Sequence, residues 1–284
     1  MNANVTLSER LGSRADERMA IIHCRGFGVT HSANLAVRDA FDARVATSTS
    51  LMLPCPWARE AAALHRGEDV GIMLTMNSEL DLYRWSPLTH APSLLDGDSG
   101  FPRSVSEFWD HADLDEVRRE ARAQLERAIV WGFDISFIDS HLGALLARPE
   151  FFDVALDLAV DFGLPMSLPP ETEHARIGFR FRELAAEEGI AFPDDQVDLH
   201  TVDSDDWVEA LATTLKPGVT EVFLSPARAS DELLAADPTG AARHTADDLR
   251  CRRHGVNDAF EKAGIRRISF RDLREVQRSA GTNT

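Results

Sequence analysis

The stretch Ala20-Ile-Ile-His-Cys-Arg25-Gly26-Phe27-Gly28-Val-Thr-His-Ser32 decides the fold class of this 284-residue chain. Its first residues are mostly apolar and β-forming, which predicts a strand, and a loop with two glycines follows. Ser32 then stands as the N-cap of a helical pattern that continues to Phe41. A strand that ends in a glycine-containing loop and leads into a helix is how α/β enzymes present side chains and backbone N–H groups to a ligand. We therefore expect the functional site where residues 25–32 meet the ends of other strands.

Strands and helices alternate along the rest of the chain, at intervals of about 30 residues. Apolar and β-branched runs predict further strands at 47–53, 70–75, 135–139, 165–168, 197–200, 220–224 and 266–270. Helical spacing predicts helices at 56–65, 113–131, 149–162, 179–188, 203–215 and 247–263, with a terminal helix after residue 270. Because no Pro/Gly/Ser linker divides the chain, this alternation predicts one domain with a parallel sheet. The number of units favours a (β/α) barrel over an open sheet.

The domain is predicted to span residues 19–278. Residues 1–18 are polar and charged, which predicts a disordered leader, and residues 279–284 are expected to form a tail. Residues 77–103 are rich in Pro, Gly, Asp and Ser. Because a long irregular segment in a compact domain is usually functional, we expect residues 77–103 to form a lid over the site.

Composition restricts the classes of partner. A formal net charge of −17 disfavours nucleic acids and anionic membranes, and a 44% hydrophobic content is enough for a sizeable core. Neither a secretory segment nor an apolar run of ~18 residues is present, so we predict a cytoplasmic protein. Cys24, Cys55 and Cys251 are too widely spaced to suggest a disulfide framework or a zinc knuckle. The expected partner is a small-molecule substrate or ligand, and a homodimer is compatible with the sequence.

Five short motifs fall at predicted strand ends. They are Ile21-Ile-His-Cys-Arg25-Gly26-Phe27-Gly28, Thr47-Ser-Thr-Ser-Leu-Met52, Gly71-Ile-Met73-Leu-Thr75, Asp139-Ser-His141-Leu-Gly143 and Ser225-Pro226. By their order and content, the chain resembles the YdjC-like family of carbohydrate deacetylases from about Arg18 to Leu273. The resemblance implies an irregular (β/α) barrel that removes N-acetyl groups from amino sugars or chito-oligosaccharides with the help of a divalent metal.

The chain departs from the family at the residues that the resemblance assigns to chemistry. In the family the first motif contains Asp-Asp, a base and a metal ligand, where this chain has Arg25 and Gly26. Met73 replaces a metal-binding histidine, and Ser225 replaces a late histidine that stabilises or protonates the reacting group. His141 alone remains of the implied ligands.

These replacements argue against the family's metal chemistry. Activating a water for amide hydrolysis needs a metal to lower its pKa and a base to take its proton. A divalent ion needs about three oxygen or imidazole ligands, whereas Met73 offers a soft thioether and Arg25 a permanent cation. We therefore predict no metal ligands and no other cofactor.

The remaining polar groups suggest a different site. Asp139 and His141 are candidates for an oriented acid–base pair. Arg25 is the third candidate catalytic residue: it binds an anionic group of the substrate, pairs with Asp139 in the vacated space, or does both. His23 is expected to be a satisfied histidine inside the barrel. The candidate substrate-binding residues are Met73, Ser225, Tyr83, Trp85, Phe27 and Thr75.

Three functions remain open from the sequence. The first is a metal-independent proton transfer (isomerisation, elimination or cyclisation) on a small molecule, either neutral or anionic. The second is a divergent deacetylase or amide hydrolase with a differently assembled site. The third is a catalytically inactive protein that binds a ligand or an active relative. An enzyme is favoured because the second and fourth motifs preserve a pocket.

Overall fold

Seven parallel strands form the sheet in the computed structural model, which describes residues 6–202, 204 and 206–281. The strands are β1 Arg18–Phe27, β2 Ser48–Leu51, β3 Val70–Leu74, β4 Ile135–Ser140, β5 Asp195–Asp198, β6 Gly218–Leu224 and β7 Ile265–Ile268. Their order is β4-β3-β2-β1-β6-β5, with β7 beside the first half of β1. The central strands β1 to β4 are mostly buried along their length, as expected where helices cover a parallel sheet.

The gap between β4 and β5 is bridged by irregular chain. Ile138 N donates to Pro165 O at 2.9 Å, and Ser167 N donates to Ile138 O at 2.8 Å. Met166 N then donates to Ala191 O at 3.0 Å, a few residues before β5 begins. The strand expected at 165–168 is therefore only an isolated bridge to β4. These contacts curl the sheet into an irregular barrel, so the predicted fold class is confirmed.

Thirteen helices surround the strands in the described residues. They are α1 Leu7–Arg10, α2 His31–Asp42, α3 Ala58–Leu64, α4 Val105–His111, α5 Leu114–Val130, α6 Pro149–Phe162, α7 His174–Ile177, α8 Phe181–Glu187, α9 Trp207–Thr214, α10 Asp231–Ala236, α11 Ala241–Cys251, α12 Val256–Lys262 and α13 Phe270–Gly281. None of them combines the length and the apolar character that crossing a membrane requires.

One close contact shows how the core fixes residue identity. The Phe137 ring of β4 stacks on Phe270 of α13 with centroids 3.8 Å apart. A Cβ on Gly71 of β3 would lie 2.4 Å from the Phe137 ring. Only glycine fits beside this aromatic pair, since interiors are packed too tightly for even one extra methyl group.

Several boundaries differ from the sequence predictions. The expected leader is not wholly irregular, since α1 has a capping box formed by Thr6 and Glu9, and Leu7 packs on the core. Helix α2 is capped by Thr30, whose Oγ1 accepts from Ala33 N at 3.1 Å, so Ser32 lies inside the helix.

The single helix expected at 247–263 is two helices, α11 and α12. Gly255 separates them in a left-handed conformation, with φ of 73°, that glycine adopts without strain. The helix expected at 203–215 begins at Trp207; residues 203 and 205 lie outside the described part of the chain. Helices α4, α7 and α10 were not predicted.

Candidate active site

A cavity of about 510 Å³ lies where the strands end. Its wall contains Arg25 after the bend of β1, Met73 of β3, Asp139 of β4 and Phe223 of β6. In barrels of parallel strands the carboxyl ends meet on one face, which is where functional side chains converge. The site expected around residue 25 is therefore a real concavity.

Arg25 and Asp139 form an ion pair in the cavity. Arg25 Nε lies 3.0 Å from Asp139 Oδ2, and the Arg25 guanidinium carbon lies 3.8 Å above the Phe223 ring. Asp139 Oδ1 accepts a hydrogen bond from Ser140 N at 2.7 Å. The guanidinium is thus held by a carboxylate and an aromatic face, the two partners that suit its planar charge. Of the two alternatives for Arg25, the structure shows the pairing with Asp139.

Beneath Arg25 lies a polar network centred on Glu221, whose side chain is fully buried. Its Oε1 accepts from His23 Nδ1 at 2.7 Å and lies 3.6 Å from an Arg25 nitrogen, and its Oε2 accepts from Ser167 Oγ at 2.7 Å and from Gln196 Nε2 at 2.8 Å. Burial alone would raise the pKa of Glu221. The hydrogen bond from His23 and the positive charge that its ring carries when protonated, together with the charge of Arg25, outweigh burial and hold the pKa below its ordinary value of 4.5.

His23 is therefore a satisfied histidine inside the barrel, as expected. Its Nε2 lies 2.8 Å from Ser50 Oγ, and the side chain is wholly buried. Since the hydroxyl of Ser50 can donate to Nε2 while Nδ1–H donates to Glu221, both ring nitrogens are satisfied.

His141 begins a short 3₁₀ turn directly after β4. Its Nε2 donates to Glu79 Oε2 at 2.8 Å. The next residue, Leu142, has a φ of 48°, an uncommon value for a residue with a side chain, which marks a turn imposed by its surroundings. Burial would raise the pKa of Glu79, but the positive charge that His141 carries when protonated and its hydrogen bond lower it overall. The carboxylate that orients His141 is therefore Glu79, and the expected pairing of His141 with Asp139 is wrong.

A second histidine lines the same cavity from α11. His244 Nδ1 donates to Ser225 O at 2.6 Å, and His244 Nε2 lies 3.3 Å from Asp237 Oδ2. The sequence did not reveal Glu79, Asp237 or His244 as site residues, because none of them belongs to a motif at a predicted strand end. The only signal in the sequence was that some histidines, His244 among them, had no assigned role.

The remaining candidate residues divide into two groups. Met73, Ser225 and Trp85 line the cavity, whereas Tyr83, Phe27 and Thr75 do not. Tyr83 Oη donates to Val29 O at 2.5 Å, and burial raises its pKa above the ordinary value. Phe27 is a core residue, and the fully buried Thr75 donates its hydroxyl to Met73 O at 2.8 Å.

The segment 77–103 covers one side of the cavity with Glu79, Leu80 and Trp85. It contains only one short 3₁₀ turn, Pro92–Leu94, but it is fixed to the barrel. Trp85 Nε1 donates to Asn77 O at 2.9 Å within the segment, and Glu120 of α5 accepts from the backbone N–H groups of Leu88 and Thr89 at 3.0 and 2.9 Å. The expected irregular segment is present, and these hydrogen bonds fix it against the barrel.

Comparison with known proteins assigns the chain to a family. The model of the family described as YdjC-like protein matches residues 19–266. The chain belongs to the YdjC-like family. The resemblance stated from the five motifs is thereby confirmed.

Relatives of this YdjC-like protein include curated carbohydrate deacetylases. It is 36% identical to one from Thermus thermophilus over 167 residues, which are 59% of each chain, so the match spans less than two thirds of that relative. It is 26% identical to one from Thermoanaerobacter pseudethanolicus over 228 residues, 75% of this chain and 83% of the relative.

Among solved structures, a candidate cellobiose-phosphate cleavage protein from Enterococcus faecalis superposes with a TM-score of 0.77. That match has 22% identity and covers 90% of this chain and 99% of the other. At this identity the likeness shows the shared fold alone.

The donor groups of this YdjC-like site do not fit a divalent metal. In the described part of the chain, no group of three or more His, Cys, Asp or Glu residues is placed to hold an ion. Asp139 is paired with Arg25 and His141 with Glu79, while Met73 and Ser225 supply only weak donors. Because a divalent ion requires several free oxygen or imidazole ligands, no step of a reaction here can be derived through one.

Proposed function

We propose that this YdjC-like protein binds a small, sugar-like molecule in the cavity and catalyses a metal-independent proton transfer on it. The observation that carries the proposal is the His141–Glu79 pair on the cavity wall, with Nε2 and Oε2 2.8 Å apart. A carboxylate that accepts from one ring nitrogen fixes the tautomer and leaves the other nitrogen free to act as a base.

The free nitrogen of His141 is Nδ1. None of the described residues donates a hydrogen bond to Nδ1 or accepts one from it. The atom is also not buried, so a bound molecule can reach it. A neutral imidazole whose Nε2 carries the proton has its lone pair on Nδ1. His141 therefore has the form of a general base, a role that contributes about 10²–10⁴-fold to a rate.

The substrate class follows from the charges on the cavity wall. Arg25 is paired with Asp139, and Arg243, the other arginine of the lining, donates to Asp198 at 3.0 Å. Both guanidinium groups are therefore engaged with carboxylates, which favours a hydroxylated neutral ligand over an anionic one. Gln196, whose amide nitrogen is held by Glu221 and Ser167, presents its oxygen as an acceptor for a ligand hydroxyl or amide N–H.

The relatives' names support carbohydrates as the first molecules to test. The probes are glucosamine, N-acetylglucosamine and N,N′-diacetylchitobiose, incubated with the full chain in D₂O and followed by ¹H NMR. We expect loss of a carbon-bound proton signal or appearance of an isomer, without acetate release and unchanged by EDTA. The variant His141→Gln, whose amide can still contact Glu79, removes Nδ1 and is expected to abolish the change.

Other outcomes would overturn the proposal. Acetate release that persists in EDTA would establish a metal-independent deacetylase, and acetate release that requires added Zn²⁺ would restore the family's metal chemistry. Binding of a probe with no chemical change in it would identify a ligand-binding protein.

A further inference from the structure

We infer that His244 is a second catalytic acid–base residue, and that with His141 it makes the cavity a two-imidazole site for moving a proton between neighbouring atoms of a hydroxy-carbonyl substrate. The inference rests on the proposed function and deepens it. It starts from an observation independent of the five motifs, because α11 supplies His244 to the cavity from a part of the chain that contains none of them.

The first support is the placement of His244. Its imidazole lies against Ser225, where the chain leaves β6 and enters the cavity wall, with Nδ1 2.6 Å from Ser225 O. Ser225 N in turn donates to the carboxylate of Asp247 on the same helix, at 2.9 Å. Two contacts thus fix α11 to the end of β6, and the His244 ring is held at a defined position.

The second support is the orientation of the two ring nitrogens. A carbonyl oxygen only accepts, so the Nδ1 that faces Ser225 O carries a proton. The other nitrogen, Nε2, lies 3.3 Å from Asp237 Oδ2 and makes no hydrogen bond within the described residues, so it is available to a bound molecule without any movement of the ring. A carboxylate beside an imidazole accommodates the charge that the ring carries while it holds a second proton.

The two histidines are therefore arranged for opposite roles. His141 donates to Glu79 and has a free lone pair, which suits the base. His244 has a fixed Nδ1–H and a carboxylate beside Nε2, which suits the group that delivers a proton. They come from different elements of the same cavity, and a cavity of about 510 Å³ has the size of a small-molecule site.

The reaction balances without a cofactor or an oxidant. The base takes the proton from a carbon that carries a hydroxyl group next to a carbonyl, and the C–H electron pair becomes the C=C bond of an enediol. The imidazolium of His244 delivers its proton to the carbonyl oxygen. Reversal of these steps at the neighbouring carbon returns both protons, so that the product is an isomer with the same atoms and the same oxidation level.

The test compares His244→Asn with His111→Asn. The asparagine amide can replace Nδ1–H toward Ser225 O, so this variant removes Nε2 while it keeps the contact that holds the ring. His111 makes the same type of contact, Nδ1 to Glu107 O at 2.9 Å, on an exposed helix end outside the cavity, which makes it a matched control. Glucose and fructose are added to the probes named above, because they contain the hydroxy-carbonyl group.

We expect His244→Asn to bind the converted probe as the wild type does, by calorimetry, and to lose about 10²-fold or more in kcat. His111→Asn should retain the wild-type kcat. A wild-type kcat in His244→Asn would overturn the role of His244 and leave the proposed function standing. A wild-type protein that leaves every probe unchanged would overturn both.

Discussion

At the scale of single residues, the ion pair of Arg25 and Asp139 distinguishes this site from that of the family, where the first motif contains two aspartates. The Asp139 side chain is 3% exposed and that of Arg25 22%. Removing one partner of a buried pair leaves the other charge without compensation, which costs about 3–5 kcal/mol. We expect Arg25→Met to lower the free energy of unfolding by about 3 kcal/mol, the lower end of that range, because Arg25 is partly exposed.

Urea unfolding of the single and double variants checks this expectation. Asp139→Asn is the matched partner, since its amide oxygen can still accept from Ser140 N. Arg25→Met combined with Asp139→Asn should cost less than the sum of the two single changes, because each change removes the same interaction. If the losses in unfolding free energy of the two single variants add up to that of the double variant, the interaction between Arg25 and Asp139 contributes nothing to stability.

Glu221 predicts how stability responds to acid. Its pKa is lower in the folded chain than the ordinary 4.5, so folding favours the ionised carboxylate. A group of this kind contributes stability that is fully present above pH 4.5 and is lost as the pH falls below that value. We expect Glu221→Gln to be less stable than the wild type at pH 7, with a difference that narrows below pH 4.5.

Chemical unfolding of both proteins from pH 7 to pH 3 measures that difference. Asp206→Asn is the control, because Asp206 forms a partly exposed pair with Arg253 that solvent screens. Asp206→Asn should lower the free energy of unfolding by less than Glu221→Gln at every pH. A Glu221→Gln difference that stays constant over the range would contradict the role given to the buried carboxylate.

At the scale of elements, the cover 77–103 is held in part by Glu120, a carboxylate of α5. Glu120 is fully buried, and its two oxygens accept from Leu88 N, Thr89 N and Thr89 Oγ1. Glu120→Gln replaces one acceptor oxygen by a donor, which cannot bond to an N–H group. We expect faster hydrogen exchange at the Leu88 and Thr89 amides, measured by mass spectrometry of peptides from this segment.

The matched control is Glu126→Gln, an identical change on the exposed side of the same helix. It should leave exchange in the segment unchanged. Equal exchange in wild type and Glu120→Gln would show that the cover is held by other contacts, such as the Ser93–Glu116 hydrogen bonds and the buried Trp85 and Phe101, and not by Glu120.

The elements also show what a single sequence can and cannot predict. The strand ends were predicted well, because apolar runs closed by Gly, Pro or polar residues have a local signature, and Arg25, Met73, Asp139, His141 and Ser225 all reached the cavity. Thr30 and not Ser32 caps α2, and the sequence could not distinguish these two cap-forming residues, which lie only two positions apart. Glu79 and His244 could not be found, because their partners His141 and Ser225 are 62 and 19 residues away.

At the scale of the whole molecule, the barrel brings polar groups of separate elements to one cavity, where each carboxylate of the wall lies beside a basic side chain. Asp139 of β4 meets Arg25 of β1, Glu79 of the cover meets His141, and Asp237 meets His244 of α11. Each carboxylate that could serve as a ligand is thus engaged with a cationic or imidazole partner. A metal would have to displace these partners before it could bind.

Metal binding by the whole protein tests that conclusion. We expect elemental analysis of the purified chain to find no stoichiometric divalent metal, and Zn²⁺, Mg²⁺ or Ni²⁺ to leave Tm unchanged. A metal present at 100 times its Kd would stabilise the native state by about 2.7 kcal/mol, which corresponds to a rise of roughly 5 °C or more for a domain of this size. His141→Ala and His111→Ala distinguish the origin of any rise. A rise that disappears only in His141→Ala would restore a metal site in the cavity and refute the metal-independent reaction, whereas a rise that disappears only in His111→Ala would come from a surface histidine.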